Sequence, residues 1–416
     1  MSLPANHKEF VAEFCAPESL APFSIAEYRL RLEKIRKAMA EAKIDLLYLT
    51  MPENIFYVSG YQAIWFQTQM LQQWEPVSGV AIHVDSDSYI HFEADREEVL
   101  CKLTTVSTDL RIWNIRSEQP FGDFIVENLK QAGWLAGTVG LELSHYRPNP
   151  AASARFRAKF EDAGCRVVDG ADIVTKRIRH IKSPQERAYT RTAARICDIG
   201  MQAAIDTIRP GVSELDVYAE IIYAMSKAGG ENPSLTLPVQ SGPKTAAPHA
   251  MPSRRKIMPG DVVGIDVCGV YNRYHADNAR TFSIGEPDPD VAKLCAANAK
   301  AMVVLAKAIR PNVPVNEVTA PLRAYYKETG LWGHQRWMGG YELGVAFPPD
   351  WVGPWSYDCE FDSGDEIFET GVVVNYESNI YFPQGPGMTL LIDTLLFDDD
   401  KAELIHKIPH DLIVID

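Results

Sequence analysis

The chain's first clear pattern is helical. Between residues 26 and 42, Leu30, Leu32, Ile35, Met39 and Ala40 recur at helical spacing among Arg and Lys, which predicts an amphipathic helix. Short apolar runs follow. IDLLYLT (44–50) has the look of a buried strand. VSGVAIHV (77–84) and YIHFEA (89–94) predict two more about the turn-prone DSDS, and TVGLEL (138–143) another after a helix over 121–133. Strands alternating with helices predict an α/β domain with a mixed or parallel sheet, ending near residue 175.

Beyond that point the pattern changes. Ser183, Pro184 and Glu186 supply an N-cap, a proline at the first helical position and an acid in the first turn. The helix they start is expected to run to about Thr207, with Pro210-Gly211 as its stop. Ser213, backed by Glu214 and Asp216, starts a second helix (214–228), and a third fits 288–309. Strand-like runs at 262–270, 273–283, 371–381 and 388–397 complete an α+β domain of helices packed on an antiparallel sheet. The expected division is therefore 1–178 and 179–416.

Charge narrows the partners. Forty-one Lys and Arg against 55 Asp and Glu leave −14, with no basic run, which argues against nucleic acid and against an anionic membrane surface. No stretch approaches the roughly 18–20 apolar residues of a membrane helix. MSLPANHKEF lacks the apolar core of a signal peptide, so a cytoplasmic location is expected. The seven cysteines are scattered, with no CxxC pair, as free thiols in a reducing compartment would be, and unlike a disulfide or zinc framework.

Candidate chemistry concentrates in three segments. DVVGIDVCGVYNRYHADNARTFSIG (261–285) predicts two strands. A turn centred on Tyr271-Asn272 makes Asp266 and Asp277 cross-strand partners with Cβ atoms about 4.5–5.5 Å apart. Two like charges there need a cation, a shared proton or a cationic neighbour; a register shifted by one would turn one Asp to solvent. His249, in PHAMPSRRKIMPGD, lies in a loop one strand upstream, and is either a solvated loop residue or a proton shuttle. Glu377 sits within the apolar run FETGVVVNYESNIYF (368–382), on the face of Val373 and Asn375. It is costly to bury there unless paired or coordinated, or exposed if the strand is an edge.

In this order, these segments resemble the M24 family, which includes methionine aminopeptidase, aminopeptidase P, prolidase, creatinase and ectoine hydrolase. IKSPQERAYTRTAARI resembles its interdomain junction, and SGPKTAAPHAMPSRRKIMPGDVV the segment with its active-site His, here His249. DVCGVYNRYHADNARTF is similar to the strand pair with two metal ligands, here Asp266 and Asp277. ETGVVVNYESNIY is similar to the strand with a ligand Glu, here Glu377. The resemblance spans about residues 26–400. It implies a creatinase-like α/β N-terminal domain and an α+β pita-bread C-terminal domain.

The departures shape the functional expectation. MGGYELG places Tyr341 where the metallopeptidases of the family have a ligand His, and Pro348 at its second His. LLIDT places Ile392 at the last ligand Glu and Leu390 at the Arg before it. The resemblance to the metal-free members then implies a metal-independent hydrolase of a C–N bond (amidine, cyclic or amide) in a small nitrogen-rich metabolite, with no cofactor. His249 would be general acid and base, and Asp266 nucleophile or water-positioning group. Asp277 and Glu377 would bind a cationic nitrogen, and Tyr341 would donate to the scissile group. The alternative is an Xaa-Pro dipeptidase or aminopeptidase with one Mn or Zn ion on Asp266, Asp277 and Glu377. A non-catalytic pita-bread binding module is the third reading. The segment 57–76 holds Tyr57, Tyr61, Trp65, Phe66 and Trp74. In the family this segment reaches the partner subunit's site, which implies a homodimer. Trp65 and Phe66, joined by Trp337, Trp351 and Trp355, would then wall the substrate pocket; a packed loop or helix face is the plain alternative.

Overall fold

The computed structural model describes residues 21–64, 75–383 and 387–416. The chain divides into two compact units, Met1–Arg179 and His180–Asp416.

In the first unit, α1 (Ile25–Ala42) is capped by Ser24, whose side chain accepts from the Glu27 amide. Leu32, Ile35 and Met39 are buried as expected, but Leu30 and Ala40 are exposed. Tyr28 and Arg31 take the inner face instead. Arg31 can be buried because Glu27, the Tyr57 carbonyl and the rings of Phe23 and Tyr57 surround its guanidinium. The sheet comprises β1 (Leu46–Leu49), β2 (Gly79–His83), β3 (Tyr89–Ala94), β4 (Asp109–Trp113), β5 (Thr138–Leu141) and β6 (Arg166–Asp169). Their order is β4-β3-β2-β1-β5-β6. The pairs β1–β2 and β2–β3 are antiparallel, and the remaining pairs are parallel. Three helices follow strands or precede them: α2 (Pro52–Ser59), α3 (Glu98–Thr104) and α4 (Phe121–Gln131), with α5 (Pro150–Asp162) further on. Phe121, Ile125, Phe156 and Phe160 from α4 and α5 pack with Leu46, Tyr48 and Phe92. Tyr57 and Tyr61 are core residues of this unit. Trp65, Phe66 and Trp74 lie outside the described residues.

The second unit opens with α6 (Pro184–Thr207). Ser183 and Glu186 form a reciprocal capping box, so the predicted start is realised atom by atom. A second box, Ser213 with Asp216, starts α7 (Glu214–Lys227). A ten-stranded sheet forms the body. Its path runs through β7 (Val239–Ser241), β8 (Val262–Tyr271), β9 (Tyr274–Ile284), β16 (Ile392–Phe397), β14 (Val373–Tyr381), β11 (Gln335–Tyr341) and β12 (Ser356–Asp358). β15 (Met388–Thr389), β17 (Ala402–Leu404) and β18 (Ile413–Ile415) join off that path. A small ladder pairs β10 (Val313–Pro314) with β13 (Ile367–Phe368).

Two cores form. Ala193, Cys197 and Met201 of α6 and Ile221 of α7 pack with Val263, Val267 and Val373. Met302 and Leu305 of α8 (Pro289–Ala308) and Leu322 and Tyr326 of α9 (Val315–Glu328) pack with Val374, Tyr376 and Leu395. Strand alternation thus sends Val374 and Tyr376 to one face, leaving Val373, Asn375 and Glu377 on the other. β14 is flanked by β11 and β16, so Glu377 is on an interior strand, not an edge.

Candidate functional site

The hairpin carrying the two aspartates differs from expectation by one position. Its two-residue turn is Asn272-Arg273, both at positive φ (49° and 63°), as a type I′ turn requires. The ladder therefore pairs Tyr271 with Tyr274, Asp266 with Ala279 and Cys268 with Asp277. Asp266 and Asp277 are diagonal neighbours, not direct partners. They still leave the same face, because a turn shifted by one residue moves the pairing by two.

The carboxyls of Asp266 and Asp277 are close enough that each shifts the other's titration. Asp277 is fully buried. Its Oδ2 accepts from the Tyr341 hydroxyl at 3.0 Å and the Asn375 amide at 3.0 Å. The same Asn375 amide donates to Glu377 Oε1 at 3.1 Å, and Asn379 donates to Oε2 at 2.8 Å. One asparagine side chain thus spans the gap between two acids. Thr394 fixes the Asp277 backbone: its hydroxyl accepts from the Asp277 amide and donates to the Asp277 carbonyl. Behind Thr394, His406 reaches Thr394 Oγ1 at 3.2 Å and Asp198 at 2.8 Å.

The electrostatics are unbalanced. Burial, then the Asp277 and Glu377 charges, push the Asp266 carboxyl well above the usual range. Asp277 is also raised by burial, against the pull of its hydrogen bonds from Asp266, Asn375 and Tyr341. Burial and the Asp277 charge push Glu377 up to about 8. Among the described residues, no Lys or Arg forms an ion pair with any of the three. Asp266 as a residue stays partly solvent-accessible, yet its Oδ1 and that of Asp277 are sealed and lack hydrogen-bond partners.

The other candidates scatter. The Tyr341 hydroxyl donates to Asp277 and accepts from Trp351 Nε1, each at 3.0 Å. Trp337 stacks on Tyr341 (6.1 Å, 7°) with Nε1 on Asp358. Trp355 instead packs with Tyr357 and Phe368 in the other core. His249 is exposed in the turn after β7. Asn375, Asn379 and Thr394 went unnoticed in the sequence. The visible signal for the two asparagines was their spacing of two on either side of Glu377, which places all three on one strand face.

The model of the creatinase/prolidase N-terminal domain matches residues 31–181, and that of metallopeptidase family M24 matches residues 188–399. The chain belongs to metallopeptidase family M24. It is 26% identical over 383 residues to an Xaa-Pro dipeptidase of Pyrococcus furiosus, covering 92% of this chain and 99% of that one. It is likewise 26% identical over 410 residues to an ectoine hydrolase of Halomonas elongata, covering 94% and 98%. An Xaa-Pro dipeptidase from Bacillus anthracis shares the fold, with a TM-score of 0.76 at 24% identity over 93% of this chain and 100% of that one. This M24 member is thus a hydrolase acting on a C–N bond, and the reading as a non-catalytic binding module falls away.

The family is one of metallopeptidases, which corrects the expectation of no cofactor. That expectation weighed the loss of two ligand positions above the three acids that remain. The donor chemistry is that of one hard divalent cation: three carboxylates on one face of the sheet, two of them with a sealed oxygen that lacks a hydrogen-bond partner, and among the described residues no ion pair to a Lys or Arg. It does not fit two. Ile392, paired with Glu377 across β14 and β16, has no donor atom, and the Tyr341 hydroxyl is committed to Asp277.

Proposed function

We propose that this M24 member hydrolyses an amide C–N bond in a small, dipeptide-like substrate, with one Mn2+ or Zn2+ ion held by Asp266, Asp277 and Glu377. The observation that carries the reading is the acid trio on one sheet face, which among the described residues forms no ion pair with a Lys or Arg and leaves Oδ1 of Asp266 and of Asp277 sealed without a partner. When bound, the ion would polarise the scissile carbonyl and lower the pKa of a water. Asp266, the acid partly open to solvent, is placed to orient the attacking water and would serve as its proton acceptor when ionised. Asn375 and Asn379 fix the Glu377 carboxylate, and Tyr341, held by Trp351, fixes Asp277. His249, exposed on its loop, protonates the leaving nitrogen. Trp337, half-buried over Tyr341, gives an apolar wall for the substrate side chain. The protein is proposed to act as a cytoplasmic homodimer. Among the described residues no helix is long and apolar enough to cross a membrane.

The test is metal analysis of protein purified without chelator, beside hydrolysis of Xaa-Pro dipeptides before and after EDTA. The expected result is about one equivalent of Mn, Zn or Fe more than in an Asp266→Asn, Glu377→Gln double variant, with EDTA-sensitive hydrolysis. Equal metal in both proteins, or hydrolysis indifferent to EDTA, overturns it. Turnover of a cyclic amidine in place of dipeptides would move the substrate class towards that of the ectoine hydrolase relative.

A further inference from the structure

The first unit holds a second group of ligand-type side chains that takes no part in the site above. His91 and Glu93 are alternate residues of β3, so they leave one face of the strand. Cys101 comes from α3, the helix that follows it. All three are buried, with one ligand atom of each within 4.8 Å of the others. His91 Nδ1 bonds to Ser107 Oγ at 3.0 Å, whereas its Nε2 is sealed and has no partner among the described residues. Glu93 Oε1 accepts from Ser78 Oγ at 2.6 Å and from the Ala94 amide at 2.8 Å.

An orphaned ring nitrogen inside a core is costly, and a ligand would relieve that cost. A hydrogen bond on one nitrogen with the other left free is the arrangement that orients a histidine towards a metal. Imidazole, carboxylate and thiol together form a borderline-soft set, distinct from the all-oxygen trio of the second unit.

We propose that His91 Nε2, the Glu93 carboxylate and Cys101 Sγ bind one Zn2+-class ion, which ties α3 to β3. Ligand atoms around tetrahedral zinc lie about 3.4 Å apart, so side-chain rotations of about an ångström close the set on the ion. The Tyr61 hydroxyl, hydrogen-bonded to the Cys101 thiol, is a candidate fourth ligand. Burial disfavours the charged forms of all three groups, pulling His91 down to about 3 and pushing Glu93 and Cys101 up, while the Arg147 charge pulls Glu93 the other way. A metal ion would take Cys101 as thiolate and Glu93 as carboxylate, releasing to solvent any protons they hold.

Co2+ is the probe, because thiolate-to-cobalt charge transfer absorbs in the near ultraviolet and an all-carboxylate site gives no such band. The full chain is stripped with chelator and equilibrated with Co2+. The band is expected to saturate at one equivalent in the wild type and in Glu377→Gln, to vanish in Cys101→Ser, and to need at least tenfold more Co2+ in His91→Gln. Absence of the band in the wild type overturns the proposal, whatever the variants do. So does a band that survives Cys101→Ser. If Cys101→Ser does not fold, the wild-type titration and loss of the band on adding stoichiometric Zn2+ decide; a band indifferent to Zn2+ also counts against the site.

Discussion

At the scale of single residues, the acid trio ties proton binding to folding. An ordinary Glu carboxyl titrates near 4.5, and Glu377 in the fold near 8. Between those values the folded chain holds a proton that the unfolded chain has released. The stability from this group is therefore complete below about 4.5 and is lost as pH rises through about 8. Chelated wild-type protein should accordingly melt at a lower temperature above about pH 8 than below about pH 5. Glu377→Gln should flatten that slope and abolish stabilisation by added Mn2+. Melting curves across pH check it, and an unchanged slope in the variant would refute it. Tyr341→Phe removes a donor to Asp277 and strands the Trp351 indole N–H, so it should cost about 1–3 kcal/mol in denaturant unfolding. Asp266, Asp277 and Glu377 were legible in the sequence because charged residues inside apolar strands stand out; Tyr341 was legible only through the resemblance of MGGYELG to the family's ligand-His turn. Asn375, Asn379 and Thr394 were not, since neutral polar residues in strands carry no comparable cost. His91, Glu93 and Cys101 were not legible for another reason: a set with a single cysteine leaves no spacing motif in the sequence.

At the scale of elements, the site depends on how closely β11 lies on β14. A Cβ at Gly340 would strike the carbonyl oxygen of Asn375, which lies on β14 beside the acids. Gly340→Ala should displace β11 and with it Tyr341, lowering kcat at least tenfold while the far-ultraviolet dichroism stays unchanged; undiminished turnover would contradict this close packing. Helix α6 could be read from its sequence because Ser183, Pro184 and Glu186 state its start locally. Helix α9 could not, since Pro321 interrupts its pattern yet sits inside it. Strand β11 was hidden by two glycines and by a register shift between Gln335 and Trp337. The hairpin register was missed by one because Asn272-Arg273 lacks the glycine that usually marks a type I′ turn.

At the scale of the whole molecule, the strand bearing Asp277 is completed from the far end of the chain. β18 pairs with β9 in parallel. The fully buried Arg280 bonds to the carbonyls of Ile392, Ile408 and Pro409 and to the Asp393 carboxylate. Removing residues 402–416 would leave that guanidinium without two of its acceptors and would strip His406 from Asp198 and Thr394. The truncated chain is expected in the insoluble fraction, and a soluble product with wild-type melting would show these ties to be dispensable. The two-unit layout was legible early because helix and strand periods change near residue 180; these long-range ties were not, since no local pattern records them. Arg280 and Ile392 are 112 residues apart. At roughly 5–20 residues per second, a ribosome needs about 6–22 s to cover that gap. For that interval the nascent chain has made the acidic hairpin but not the strand that closes over it. A chaperone that shields an open sheet edge would have a window of that length on this protein.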